Sequence, residues 1–132
     1  MRVLILHGPN MNLLGIRSAN KKQTITLDKI NQHIRRFVRD KNLDIKIIQT
    51  HSETKAVSYI QKNRNKFDGI IITPGPWDEV GYILLDLLEL INMNYAVINI
   101  ENKKNNLFKD SKIIYNTDIF KSFEEAIDQY VS

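Results

Sequence analysis

Four residues near the start of the chain, Val3-Leu4-Ile5-Leu6, are apolar without a break and stop at His7-Gly8-Pro9-Asn10. A run this short reads as a strand, and a strand with no polar alternation is buried on both faces. Such burial belongs to a parallel sheet with helices on both sides, so the remaining chain must alternate helix and strand.

It does. After the first strand, Arg2 to Leu6, the chain from His7 to Thr24 carries two glycines, a proline and a basic run from Arg17 to Gln23. A loop of that length in a compact domain is usually functional, here a lid. Thr26 caps a helix whose apolar stripe is Leu27, Ile30, Ile34, Phe37 and Val38, with Lys29, Arg35, Arg36 and Arg39 toward water. His33, beside the stripe, reads as a surface or packing residue. Leu43 to Gln49 is a second strand, and Ser52 or Thr54 opens a helix through Ala56, Val57, Tyr59 and Ile60. Phe67 to Thr73 is the third strand, ended by Pro74-Gly75-Pro76. Asp78 is expected to cap a helix from Val80 to Leu90 that is apolar all round and so points to an oligomer interface. Tyr95 to Glu101, a polar loop from Asn102 to Lys109, and a short strand from Lys112 to Tyr115 follow. Ser122-Phe123-Glu124-Glu125 is a capping-box pattern for the last helix, through Ile127 and Val131.

The connection rules then give one α/β domain over residues 1–132, a flavodoxin-like three-layer α/β/α sandwich on a five-stranded parallel sheet of order 2-1-3-4-5. Its ligand crevice falls at the carboxyl ends of strands one and three with strand four alongside. Three segments converge there: His7 to Asn10, Thr73 to Trp77 and Glu101 to Lys103.

Composition sets outer bounds. With 132 residues, 42% hydrophobic and 26% charged, the chain is ordinary for a globular domain. No apolar run approaches the roughly 18 residues of a membrane span, and no signal-peptide pattern precedes the first strand, so a cytoplasmic location without membrane association is expected. The absence of cysteine removes disulfides, thiolate nucleophiles and zinc-thiolate sites. A formal charge of +4 suits a small carboxylate, a phosphate or nucleic acid, or reflects only a composition rich in Lys, Asn and Ile. The basic first helix lacks interleaved aromatic residues, so no nucleic-acid partner is expected. No GxGxxG or P-loop pattern is present, and His7, His51, Glu53 and Glu79 have no metal-ligand spacing, so neither cofactor nor metal is expected. Trp77 either stacks on a ligand or covers the core.

Gly8-Pro9-Asn10-Met11-Asn12-Leu13-Leu14-Gly15-Ile16-Arg17, followed by Thr26-Leu27, resembles the N-terminal signature of the type II 3-dehydroquinases. Asp68 to Gly75 resembles the same family's third strand and turn, and Asp86 matches an acidic residue of its next helix. The resemblance implies a flavodoxin-like domain assembled as a trimer-based dodecamer. It implies dehydration of 3-dehydroquinate without cofactor or metal: a lid tyrosine beside an arginine removes a proton, asparagines stabilise the enolate, and a histidine after strand four protonates the leaving hydroxyl.

Transferred position by position, the resemblance keeps Asn10 and the lid arginine, Arg17. The lid tyrosine position is Lys22 and the acid histidine position is Glu101, with Asn99 two residues before it where the family has glutamate. Thr73 stands at the enolate-side asparagine, Glu79 at a substrate-binding histidine, and Lys103 at the serine of a carboxylate loop that also holds Asn102 and is shortened here. Lys109 roughly replaces a substrate-binding arginine. An acid or base in position contributes about a hundred- to ten-thousandfold each, so these replacements imply a degenerate or rewired site for a small anionic carboxylate. Lys22 and Glu101 are expected to face each other across the crevice, as a replacement acid/base pair that still dehydrates 3-dehydroquinate or as a salt bridge that pins the lid. An oligomeric binding or regulatory module is the third reading.

Overall fold

The computed structural model describes residues 1–17 and 24–131. Five parallel strands, β1 (Arg2–His7), β2 (Asp44–Gln49), β3 (Gly69–Thr73), β4 (Tyr95–Ile98) and β5 (Lys112–Ile114), form one sheet in the order β2-β1-β3-β4-β5. A 3-10 turn (Met11–Leu13) and six helices complete the described elements: α1 (Leu14–Arg17), α2 (Leu27–Val38), α3 (Glu53–Asn63), α4 (Trp77–Val80), α5 (Tyr82–Leu90) and α6 (Ile119–Asp128). The flavodoxin-like order read from the sequence is the order observed.

Strand alternation explains the layers. Val3, Ile5, Ile71, Ala96 and Ile98 pack with Ile30 and Ile34 of α2 and with Phe123 and Ile127 of α6. Leu4, Leu6, Ile70, Ile72 and Val97 pack on the other face with α3, α5 and Trp77 of α4. Successive residues of a strand point to opposite faces, so the unbroken apolar runs fill both cores at once. Trp77 is buried in the second core and serves packing.

Several boundaries differ from the sequence reading. β1 runs one residue further and carries His7 into the sheet, while β4 ends at Ile98, leaving Glu101 three residues beyond the strand. Thr26 and Ser52 do cap α2 and α3, through Lys29 N (3.2 Å) and Lys55 N (3.2 Å). Asp78 does not cap the apolar helix: it lies inside α4, which breaks from α5 at Gly81, and its carboxylate turns into the protein. The Leu84 N–H in the first turn of α5 instead donates to Glu53 Oε2 of α3 (2.9 Å). Ser122 does not open the last helix either. Asp118 does, accepting from Phe120 N at 3.0 Å, because starting there brings Ile119 into the core one turn ahead of Phe123.

Candidate functional site

The carboxyl edge of the sheet is a polar row above an apolar core. His7 is paired in register with Gln49 on one side and Thr73 on the other. It is fully buried. Its Nε2 lies 2.9 Å from Asn31 Oδ1, an acceptor, so Nε2 carries the proton and Nδ1 accepts from the Thr73 hydroxyl at 3.4 Å. The edge of the Phe123 ring closes the site at 5.7 Å. Burial disfavours the imidazolium and lowers the His7 pKa from 6.5 to about 4, although the Asn31 bond opposes the shift. His7 is therefore a neutral, fixed group under the turn that follows.

That turn is held at several points. Gly8 N donates to Thr73 O at 3.0 Å, and a Cβ on Gly8 would lie 2.6 Å from that oxygen, so only glycine lets the exits of β1 and β3 come this close. Asn10 has left-handed backbone angles, φ 67° and ψ 6°, a conformation asparagine tolerates better than most residues. Its N–H donates to His51 Nδ1 (3.1 Å), and Gln49 Nε2 donates to Gly8 O (3.3 Å). The end of β2 and the residues after it thus fix the turn that presents Asn10 to solvent.

A pocket of about 60 Å³ opens opposite, between the Pro74-Gly75 turn and the chain leaving β4, Ile98 to Glu101 with Lys103. Its second wall is anchored from below. Asp78 is 1% exposed, and its carboxylate accepts from Asn106 N (2.8 Å), Phe108 N (3.1 Å) and Asn105 Nδ2 (3.5 Å). Asn105 forms a reciprocal amide pair with Asn99, with N···O distances of 2.7 and 3.1 Å. Asp78 N donates in turn to Gly75 O at 3.1 Å, so one residue ties both walls of the pocket together.

Of the residues singled out in the sequence, Glu101 and Lys103 line this pocket. Asn10, on the turn after β1, is outside the lining, and so is Thr73, which is buried at the end of β3 beside Pro74. Asn102 is exposed next to the lining, and Lys109 is exposed just beyond the buried Phe108. Glu79 is outside the lining, its carboxylate accepting from Asn106 Nδ2 at 3.0 Å. Asp86 lies on the exposed side of α5, also outside the lining. Arg17 ends α1, and Lys22, with the expected contact to Glu101, lies outside the described residues. Asn105 carries no signal in the sequence, where Asp78 has the look of a helix cap. Their partners are backbone groups and side chains from six to 30 residues away, with no short motif to mark them. Among the described residues, no three or more His, Asp or Glu side chains gather as a metal site, and no helix is long and apolar enough to cross a membrane.

Residues 1–129 match the family model described as Dehydroquinase class II. The chain belongs to the class II dehydroquinase family. It is 32% identical over 105 residues to a 3-dehydroquinate dehydratase of Geotalea daltonii, covering 80% of this chain and 73% of that one. A 3-dehydroquinate dehydratase of Caldanaerobacter subterraneus is 33% identical over 101 residues, covering 76% and 68%. Among solved structures, the type II dehydroquinase of Butyrivibrio crossotus superposes with a TM-score of 0.82 at 26% identity, over 98% of this chain and 96% of that one. A 3-dehydroquinate dehydratase-like protein of Bifidobacterium longum shares the fold at a TM-score of 0.72 and 19% identity, over 98% and 94%. In this member of the class II dehydroquinase family the pocket at the carboxyl edge is framed by the Pro74-Gly75 turn and the exit of β4.

Proposed function

We propose that this chain keeps its family's crevice for a small carboxylate ligand and has departed from the family's acid and base, so that it binds such a ligand without running the standard dehydration of 3-dehydroquinate. The observation that carries the reading is Glu101. It stands where the family resemblance puts the histidine that protonates the leaving hydroxyl, and it lines the pocket as an exposed side chain. A carboxylate has no ring N–H to donate, whereas the imidazole expected at this position does. His7, the histidine nearest in kind, is buried with both ring nitrogens engaged and does not replace it. Asn10 and Arg17 remain as the ligand-binding part of the signature. Lys22 stands at the lid tyrosine.

The test is purified protein with 3-dehydroquinate, following the conjugated product in the ultraviolet, with Lys22→Ala and Glu101→Ala alongside. The expected result is no turnover, together with a rise in melting temperature in the presence of 3-dehydroquinate through binding to the native state. Turnover that either substitution abolishes would overturn this reading. It would establish instead an active dehydratase with Lys22 as base and Glu101 as proton shuttle.

A homo-oligomer built from trimers, up to the dodecamer implied by the family, is part of the same proposal. It is supported by the apolar side chains Val80, Tyr82, Ile83 and Leu90, which α4 and α5 leave exposed.

A further inference from the structure

Each polar side chain that lines the pocket can be followed to its partners. The Asn99 amide is fully engaged: Nδ2 donates to Lys103 O (3.2 Å) and to Asn105 Oδ1 (2.7 Å), and Oδ1 accepts from Asn105 Nδ2 (3.1 Å). Asn105 reaches onward to Asp78, whose oxygens are taken by the N–H groups of Asn106 and Phe108. Pro74, Gly75, Ile98 and Ile100 bring no polar side-chain atom to the lining. Among the described residues, what remains is one carboxylate, Glu101, and one ammonium, Lys103, two residues apart on the same wall. They do not neutralise each other. The ion pairs among the described residues are His33–Glu124 and Lys41–Asp40.

A plain anion brought into this pocket is attracted by Lys103 and repelled by Glu101, and a plain cation meets the reverse. A molecule carrying both charges a few ångströms apart satisfies both. We infer that the pocket selects a zwitterion, a small α-amino carboxylate whose ammonium is taken by Glu101 and whose carboxylate is taken by Lys103. The inference rests on the small-carboxylate reading above and narrows it. The staple through Asp78, Asn105 and Asn99 contributes by holding the Glu101 and Lys103 backbone in place before a ligand arrives, which lowers the cost of ordering on binding.

Alanine, lactate and isopropylamine test it, because lactate exchanges the ammonium of alanine for a hydroxyl and isopropylamine exchanges its carboxylate for a methyl. Each is titrated into the protein while the backbone amide signals of residues 98–103 are followed by NMR. Alanine is expected to bind at least about fivefold more tightly than either relative, the scale of one partly shielded charge-assisted contact. Glu101→Gln should bring alanine down to the lactate level, and Lys103→Met to the isopropylamine level. Both side chains are exposed, so the variants should keep the wild-type melting temperature. Lactate binding as tightly as alanine, an alanine advantage that survives Glu101→Gln, or silence from all three overturns the inference. A parallel titration with 3-dehydroquinate separates the two levels. If it binds while alanine does not, the zwitterion is refuted and the carboxylate site stands; if neither binds, both fall.

Discussion

Asp78 and His7 are two buried polar side chains with opposite consequences. The Asp78 carboxylate accepts N–H groups on both oxygens, so Asp78→Asn must turn its own NH₂ toward a backbone donor whichever way it flips. We expect a loss of about 2–4 kcal/mol, the scale of hydrogen bonds to a buried charged acceptor, measured as a lower midpoint of urea unfolding. His7 acts through protons. The unfolded chain takes up its proton near 6.5 and the folded chain near 4, so the unfolded state binds more protons between those values and stability falls as the pH is lowered through them. The contribution is fully present above 6.5 and is lost progressively down to about 4, on the order of 3 kcal/mol. His7→Gln should show a smaller drop in unfolding free energy between pH 7 and pH 4.5 than the wild type; equal drops would show that His7 is not the group responsible. Neither role could be read from the sequence. Asp78 follows a Pro-Gly-Pro turn, where an acidic residue ordinarily caps the coming helix, and nothing local shows that N–H groups 28 and 30 residues later claim it. That Glu101 lies on the chain leaving β4 was legible, because the apolar run from Tyr95 to Ile98 marks the strand before it.

Among the elements, the strands were more legible than the ends of the helices. Unbroken runs such as Ile70-Ile71-Ile72 have one physical solution, burial on both faces, whereas a helix start is a competition among nearby acceptors. At α6 the competition was between Ser122 and Asp118. Asp118 captures Phe120 N, which leaves the Ser122 hydroxyl buried with no hydrogen-bond partner among the described residues. The chain after α6 also bears on β3. Tyr130 is buried, its hydroxyl has no partner among the described residues, and a Cβ built on Gly69 at the start of β3 would run into its ring. Gly69 is thus the floor on which Tyr130 lies. Gly69→Ala should cost roughly 1–3 kcal/mol by overpacking, and most of that cost should vanish in the background Tyr130→Leu, because the two changes meet at one contact. Tyr130→Phe should leave the melting temperature unchanged or raise it, since it removes a buried hydroxyl that has already lost water and gained no partner. A drop of several degrees with Tyr130→Phe would mean that the hydroxyl is bonded after all.

For the molecule as a whole, the two cores account for most large apolar side chains but not for one ridge. Val80, Tyr82, Ile83 and Leu90 are 62, 64, 64 and 74% exposed, all at the end of α4 or on α5. Scattered exposed apolar residues need no explanation, but several on two consecutive short helices form a surface of the kind that marks association. Asp86 lies three residues after Ile83 and four before Leu90, hence on the same face of α5, which places this acidic residue in a prospective interface rather than at its own chain's pocket. An acid in such a surface favours a unique register over unspecific aggregation, because it must find a cationic or hydrogen-bonding partner when covered. On the trimer-based assembly that the family resemblance implies, native mass spectrometry is expected to give multiples of three times the 15.4 kDa chain mass. Ile83→Glu, which adds a charge without touching either core, should shift the population to smaller species and remove the dependence of melting temperature on protein concentration. A wild type that is monomeric throughout, or an Ile83→Glu variant of unchanged mass, would show that the ridge is not an interface between copies.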